Sequence, residues 1–188
     1  FLVPQDFYPL QKEYLTELNG LKVPARFDCD NFNSGKTWGG GFRYFWAVPS
    51  RWWACYIHEA NVKSGMPMVR PDLPFIDEEY FEQASVYHSV LRAKGTFVMA
   101  EFGARWGTWS ARAVSMLRRS HADKTMRAEL LLVEPVQVQC DGITEVMKLN
   151  AINHTLFCAY AEVEDFLKWA ELVPHIDLLD MDTQGAEK

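Results

Sequence analysis

The sequence predicts an α/β protein with a doubly wound parallel sheet, and two observations indicate this class. Four apolar runs of strand length lie in the second half of the chain, and helical patterns separate them. The runs are continuously apolar rather than alternating, as strands are when both faces of a sheet are covered. We therefore expect a Rossmann-like sheet with helices on both sides.

The chain has 188 residues, of which 48% are hydrophobic, and this suffices for one domain with an appendage. The composition divides it into an aromatic-rich N-terminal extension, 1–74, and a main domain, 75–188. In the extension the patterns predict short helices at 9–21 and 50–60, the second with Ser50 as its N-cap.

The main domain begins with a predicted helix at 78–93, which Asp77 caps. One face of this helix consists of Phe81, Ala84, His88 and Leu91. We interpret the histidine as a helix residue rather than a ligand, because no partner is within reach in the sequence. The four strands are predicted at 96–102, 128–135, 155–161 and 175–182. The helices between them are predicted at 108–120, 136–153 and 162–172.

Charge and hydropathy argue against two classes of partner. The net charge of −6 provides no general attraction for nucleic acid or for an anionic membrane. The basic residues between 105 and 127 are interpreted as a solvated helix face. The longest apolar stretch, 41–57, is interrupted by arginine and proline and is too short to span a bilayer.

The four cysteines show no C-x-x-C spacing, and no two histidines stand at ligand spacing. We therefore expect neither a zinc site nor a disulfide framework, but buried free thiols. Free thiols favour a reducing compartment, and hence an intracellular or organellar location from which any targeting segment has been removed.

The tetrapeptide "SGKT" at 34–37 resembles the end of a phosphate-binding P-loop. A P-loop needs a glycine that is separated from its Gly-Lys pair by four residues, and Asp30 occupies that place. No apolar strand leads into the motif either, so we reject a P-loop.

Acidic residues and glycines cluster where the predicted strands end. Glu101 and Gly103 follow the first strand, Glu134 the second, Glu162 the third, and Asp182 the fourth. Ligands of open α/β sheets bind beyond these carboxyl ends, and a carboxylate after the second strand suits ribose hydroxyls. One interpretation is a nucleoside-type pocket. The other is that polar residues stand there because the chain leaves the core.

The glycine spacing argues against a dinucleotide. Gly103 and Gly107 are spaced G-x-x-x-G, whereas a dinucleotide fingerprint reads G-x-G-x-x-G. Glu134 also lies farther along the chain than the roughly 20 residues that this fingerprint requires. NAD is therefore a poor candidate.

Two blocks are specific: "EFGARWGTW" at 101–109 and "IDLLDMDTQGAE" at 176–187, with "LLLVEP" and "KLNAIN" between them. They resemble the forms E-L-G-A-G-x-G-x-W and D-x-x-x-x-D-x-x-G-x-E of the FkbM-type methyltransferases. This family is a class I branch that depends on S-adenosylmethionine. The resemblance covers residues 75–187 and implies methyl transfer to a hydroxyl oxygen of a small molecule or glycan.

The resemblance also implies a role for each matching residue. The turn that holds the methionine part of the cofactor would consist of Glu101, Gly103, Ala104 and Gly107. Glu134 would bind the ribose hydroxyls, and Glu162 would lie near the adenine.

Asp182 would face the methyl group and the acceptor, which makes it the candidate general base. The chemistry belongs largely to the cofactor, and the protein supplies alignment. The alternative for Asp182 is that its carboxylate merely caps the next turn.

Arg105 departs from the family pattern, because it replaces the middle glycine of the turn. Glycine adopts positive φ readily, whereas arginine loses about 1 kcal/mol in doing so. Either the turn has changed shape or the cofactor site is weakened. Another possibility is that Arg105 pairs with a strand-end acid and closes the pocket.

Class I methyltransferases have seven strands, so we expect the four predicted strands to leave an open edge at the fourth. The chain continues beyond Lys188, or a protein partner covers this edge, or residues 1–74 fold over it. The Trp-rich segment 38–57 is a second candidate docking surface. Alternatively, this segment packs on the domain's own core.

Two functions remain open. The first is an S-adenosylmethionine-dependent O-methyltransferase, favoured by the matching acids and glycines. The second is a methyltransferase-like domain that has lost catalysis and serves as a subunit of a larger assembly. Arg105, the open edge and the aromatic extension favour the second.

Overall fold

The computed structural model describes residues 6–27, 29, 49–71, 80–121, 126–160 and 162–183. The chain divides into two compact units, 1–83 and 84–188. The "SGKT" loop, the predicted cap Asp77 and the last residues of the "DMDTQGAE" block lie outside the described residues.

The first unit contains short strands and one long helix. Its elements are β1 (Tyr8–Pro9), β2 (Tyr14–Thr16), β3 (Lys22–Pro24), α1 (Pro49–Lys63) and β4 (Met68–Val69). Strand β1 pairs antiparallel with β4, and β2 pairs antiparallel with β3. The helix predicted at 50–60 is confirmed, although it begins one residue before the predicted cap.

The helix predicted at 9–21 is wrong, because this segment forms β2 and a hairpin turn. Gly20 adopts φ 84°, and the Asn19 side chain accepts the N–H of Leu21 at 3.0 Å. The Glu17 N–H also donates to the Leu21 carbonyl at 2.8 Å. Asn-Gly between two apolar stretches is a hairpin signal, and this signal outweighs the helical spacing of the leucines.

Helix α2 (Tyr80–Arg92) comes next, followed by alternating strands and helices. These are β5 (Thr96–Phe102), α3 (Thr108–Ser120), β6 (Arg127–Val133), α4 (Gln137–Leu149), β7 (Thr155–Phe157), α5 (Val163–Ala170) and β8 (Leu178–Met181). The predicted α/β class is confirmed, since β5 to β8 form a four-stranded parallel sheet flanked by helices.

The sheet has the order β7-β6-β5-β8. The chain thus moves outward from β5 through β6 to β7, and then crosses to the other side of β5. This order is compatible with a Rossmann-like fold, and it places the topological switch point between β5 and β8. Strand β8 is an edge strand, as expected, and its Leu179 and Met181 are 47% and 53% exposed.

The two faces of β5 bury different side chains. Val98, Ala100 and Phe102 point to one face, where Trp169 of α5 completes a buried cluster. The ring centroids of Phe102 and Phe166 lie 5.6 Å apart in this cluster. The alternate residues of β5, including Glu101, point to the opposite face, where Glu101 contacts α3.

The face of α2 that carries Phe81, Ala84, His88 and Leu91 is exposed. Phe81 and Leu91 are 69% and 48% exposed, whereas Val86 and Val90 on another stripe are buried. Both stripes have helical spacing, and periodicity alone does not decide which of them faces the core.

The prediction of free thiols is wrong, because all four cysteines are paired. Cys29 bonds to Cys55 in the first unit, and Cys140 bonds to Cys158 in the second. Disulfides need only spatial proximity, and the Cα atoms of the two pairs lie 5.4 and 6.0 Å apart. The prediction of a reducing compartment rested on free thiols. Because the cysteines are paired, nothing supports that prediction.

The described residues contain neither a membrane-spanning helix nor a metal-binding cluster. No helix there has both the length and the apolar character needed to cross a membrane. No cluster of three or more histidine, cysteine or acidic side chains there is arranged to hold a metal ion.

Candidate functional site

The turn from β5 into α3 is fixed by backbone hydrogen bonds at the carboxyl end of the sheet. The N–H groups of Gly103 and Ala104 donate to the carbonyl of Val133 at 2.9 and 3.3 Å. The Gly107 N–H donates to the Ala104 carbonyl at 2.6 Å and closes the turn. The predicted turn residues thus hold one another and the end of β6.

Arg105 occupies the left-handed region with φ 53°. Its neighbours Gly103 and Gly107 both have φ 76°. The chain therefore keeps three left-handed positions in five residues even though the middle one is arginine. The position thus has positive φ although it carries arginine, and the local strain of a non-glycine residue is present.

Glu134 connects this turn to the start of α4. One of its carboxylate oxygens accepts the N–H of Arg105 at 2.9 Å, and the other accepts the N–H of Val136 at 3.0 Å. The residue is 6% exposed. Arg105 does pair with a strand-end acid, but the described bond uses its backbone N–H rather than its guanidinium group.

Glu101 is bound to the first turn of α3. Its two carboxylate oxygens accept the N–H groups of Trp109 and Ser110 at 3.0 and 2.8 Å. The N-cap residue of α3 is Gly107, which has no side chain to cap the helix. Glu101 therefore supplies from the sheet the acceptors that helix N-termini need.

Burial raises the pKa of Glu101 from its ordinary value of 4.5 to about 7, although the hydrogen bonds from Ser110 and Trp109 oppose this shift. The negative charge of Asp180 adds to the increase. Asp180 is the direct partner of Glu101 in the pairing of β5 with β8. The switch point thus holds two acids side by side, one of them fully buried.

Gly103 and Asp182 are brought together across the switch point. The Asp182 N–H donates to the Phe102 carbonyl at 2.9 Å. A Cβ atom on Gly103 would overlap the carbonyl group of Asp182, and it would come within 3.4 Å of the Cα of Thr183. Only glycine allows the two strand ends to approach this closely.

Glu162 stands apart from the other candidates. It is the exposed N-cap residue of α5, and its side chain makes no capping hydrogen bond. No hydrogen bond among the described residues joins it to the turn or to Glu134. The structure therefore groups five of the seven predicted residues around the turn, places Asp182 against them and leaves Glu162 outside.

Three buried polar atoms near the switch point have no hydrogen-bond partner within the described part of the chain. They are the indole Nε1 of Trp106 and the hydroxyls of Ser110 and Thr183. Buried polar groups are normally satisfied, so such atoms indicate a place for water or a bound ligand.

Exposed apolar residues stand in the two chain segments that bond to Glu134, just before α4 and at and after the end of β7. Val136, Phe157 and Tyr160 are 49%, 39% and 75% exposed. Phe157 is next to Glu134, because its carbonyl accepts the Glu134 N–H at 3.0 Å. A buried carboxylate flanked by exposed apolar groups suits a ligand with hydroxyls on one part and a flat apolar ring on another.

Sequence reasoning missed Asp180 and the disulfide between Cys140 and Cys158. Asp180 stands inside an apolar strand, and an acid in such a place is a signal that the sequence offers. Its pairing with Glu101 depends on the strand register, which the sequence does not contain. The cysteines lie 18 residues apart, and only the fold brings them together.

No model of a known protein family matches this chain, and no curated protein sequence matches it either. The resemblance to the FkbM-type methyltransferases therefore rests on the motifs themselves.

Proposed function

We propose that residues 84–188 belong to a class I methyltransferase domain of the FkbM type, which binds S-adenosylmethionine and methylates a hydroxyl oxygen. The observation that carries this proposal is the bond from the Arg105 N–H to the Glu134 carboxylate, with Arg105 at φ 53°. A turn of this shape beside a strand-end acid is what a nucleoside-type cofactor needs at a switch point. Arg105 thus has the positive φ that a glycine at this position would readily adopt.

The chemistry of Glu134 fits a ribose. A carboxylate has about four acceptor positions, and backbone N–H groups use two of them. The remaining positions suffice for the two ribose hydroxyls. The exposed side chains of Val136 and Tyr160 provide apolar surface for an adenine ring nearby. The Nε1 of Trp106 and the hydroxyl of Thr183, which have no partner among the described residues, are further groups that a polar ligand would satisfy.

Asp182 is the residue that we assign to proton transfer. It is exposed at the end of β8, directly against Gly103. When bound, S-adenosylmethionine supplies an electrophilic methyl group, and the carboxylate of Asp182 accepts the proton of the acceptor hydroxyl. The turn and Glu134 would hold the cofactor, and the protein would supply its alignment with the acceptor.

Calorimetric titration of the full chain with S-adenosylmethionine tests the proposal. We expect micromolar binding by the native chain and about tenfold weaker binding by Glu134→Gln, because one carboxylate acceptor is lost. Glu129→Gln is the matched control, since Glu129 is exposed on the strand that leads to Glu134. Equal loss in both variants would contradict the role of Glu134.

The second candidate function is a subunit that has lost catalysis. Two features favour it: both oxygens of Glu134 already bind backbone N–H groups, and the edge strand β8 exposes Leu179 and Met181. Arg105→Gly separates the candidates. Binding only by the glycine variant would mean that the arginine side chain blocks the site. Absence of binding by both proteins would refute the cofactor assignment.

A further inference from the structure

The two disulfides differ in their access to solvent. Cys29 and Cys55 are only 6% and 4% exposed. Cys140 is 1% exposed, whereas its partner Cys158 is an exposed residue. Thiol–disulfide exchange requires that an attacking thiolate reach one sulfur atom, so access decides which disulfide reacts. Of these four cysteines, only Cys158 is an exposed residue.

The exposed disulfide lies beside the backbone of Glu134. Cys140 is the fourth residue of α4, and Cys158 directly follows β7. The Glu134 N–H donates to the Phe157 carbonyl at 3.0 Å, one residue before Cys158. On the other side, the carbonyl oxygen of Glu134 lies 3.2 Å from the Sγ of Cys140. One end of the disulfide therefore contacts Glu134 itself, and the other end directly follows the residue that bonds to Glu134.

We propose that Cys158 is a thiol-exchange site, at which a thiol reductant opens the Cys140–Cys158 disulfide and loosens the backbone around Glu134. In the first step a thiolate forms a bond to the Sγ of Cys158, and the bond to Cys140 breaks, so that Cys140 leaves as a thiolate. In the second step another thiolate of the reductant attacks the reductant sulfur that is bound to Cys158. The bond between that sulfur and the Sγ of Cys158 breaks, and Cys158 leaves as a thiolate. The disulfide gains two electrons, and the reductant becomes a disulfide.

The surroundings of Cys140 favour it as the leaving group of the first step. It lies in the first turn of α4, where the helix N-terminus stabilises a thiolate. After protonation, its S–H group has an acceptor in place, because the Glu134 carbonyl lies 3.2 Å away. The reduced state therefore leaves no unpaired thiol in this buried position.

Opening the disulfide removes the covalent tie between α4 and the end of β7. The disulfide closes a covalent ring from Cys140 to Cys158. This ring contains Phe157, whose carbonyl accepts the Glu134 N–H. We expect the backbone of Glu134 and Val136 to become more mobile in the reduced protein. Regulation of cofactor binding by this change rests on the proposed function, whereas the exchange site itself does not.

The oxidised full chain, incubated under native conditions with glutathione and then alkylated, tests the exchange site by peptide mass spectrometry. We expect the glutathione adduct on Cys158, and opening of this disulfide at least about tenfold faster than that of Cys29–Cys55. The buried disulfide is an internal control in the same molecule. An adduct found first on Cys140, or equal rates for both disulfides, would overturn the proposal. Cys158→Ser is expected to abolish the adduct.

Amide hydrogen exchange of the oxidised and reduced chains tests the coupling. We expect faster exchange at Glu134 and Val136 after reduction, with the Val98 amide of β5 unchanged as a reference. Unchanged exchange at Glu134 would overturn the coupling. We further expect about tenfold weaker binding of S-adenosylmethionine by the reduced chain. If neither form binds it, the proposed function fails, and the adduct and hydrogen-exchange results still decide the present proposal.

Discussion

Glu101 and Glu134 are carboxylates at the same edge of the sheet, at the ends of neighbouring strands, and each accepts two backbone N–H groups. The donors differ. Those of Glu101 are consecutive residues of one helix, whereas those of Glu134 come from two separate turns. Glu101 is also paired with a second acid, Asp180, on β8. The same residue type after two similar strands therefore caps a helix in one case and joins two loops in the other.

The largest expected effect comes from Gly103, which lies between the two carboxylates in the chain. Gly103→Ala would place a Cβ on the carbonyl group of Asp182 and force alanine to adopt φ 76°. We expect a loss of about 4 kcal/mol in the free energy of unfolding, from overpacking and left-handed strain together. Urea denaturation measures it.

Gly107→Ala is the matched control, because Gly107 has the same φ of 76°. Its added Cβ would meet the flexible end of Met147 rather than backbone. We expect a loss of about 2 kcal/mol there. A Gly103→Ala variant no less stable than Gly107→Ala would contradict the close approach of the strand ends.

The second prediction uses pH to distinguish the two carboxylates. The pKa of Glu101 is raised from 4.5 to about 7, so the folded chain retains a proton that the unfolded chain releases. The stability that Glu101 contributes is full below pH 4.5 and is lost as the pH rises toward 7. We expect this group to lower the free energy of unfolding by about 3 kcal/mol across that window.

Denaturant unfolding at several pH values measures this slope. Glu101→Gln removes the titrating group, so the variant is expected to lose the slope between pH 4.5 and 7. Glu134→Gln is expected to keep it. If Glu101→Gln unfolds with the native pH dependence, the burial of that carboxyl does not control stability.

The third prediction concerns Glu134 alone. Glu134→Gln leaves one acceptor for two N–H donors, those of Arg105 and Val136. We expect a loss of about 2 kcal/mol, the value of one hydrogen bond to a charged group. Thermal unfolding of this variant beside Glu129→Gln measures it, and the control is expected to change by less than about 0.5 kcal/mol.

The smallest expected effect is an increase in the free energy of unfolding. Arg105→Gly relieves the left-handed strain at φ 53° and is expected to stabilise the chain by about 0.5–1 kcal/mol. Ala151→Gly is the companion variant, since Ala151 has φ 51° just after α4 and lies far along the chain from both carboxylates. A loss of stability in Arg105→Gly with a gain in Ala151→Gly would show that the Arg105 side chain stabilises the turn.

The sequence predicted the second unit better than the first. The bounds of β5 and α3 were predicted exactly, because a continuous apolar run and a pair of glycines mark them. The leucine spacing of the 9–21 segment predicts a helix, and Asn-Gly is compatible with the end of one. In the structure the Asn-Gly pair forms a hairpin turn instead. Local sequence patterns predicted the element bounds correctly where a strand is fully buried. They predicted the wrong element where a helix signal and a turn signal compete.

The sequence predicted which of the candidate residues lie at strand ends, but not the hydrogen bonds that they make. Strand-end position alone selected Glu101 and Glu134, yet nothing local indicates that one binds α3 and the other the Arg105 turn. The pairing of Asp180 with Glu101 and of Cys140 with Cys158 depends on register and chain crossover. These are properties of the assembled sheet, and residue spacing does not encode them.

Asp177 has a consequence for how the sheet assembles. Its N–H donates to the Val98 carbonyl at 2.8 Å, and its carboxylate accepts the Val98 N–H at 2.9 Å. The side chain thus completes the hydrogen bonding of β5 one residue before β8 begins. β8 is the last of the four strands to be synthesised, and a parallel strand pairs only after its crossover has formed. A slip of one residue would break both bonds and turn Asp180 away from Glu101, so Asp177 favours the correct alignment of β8.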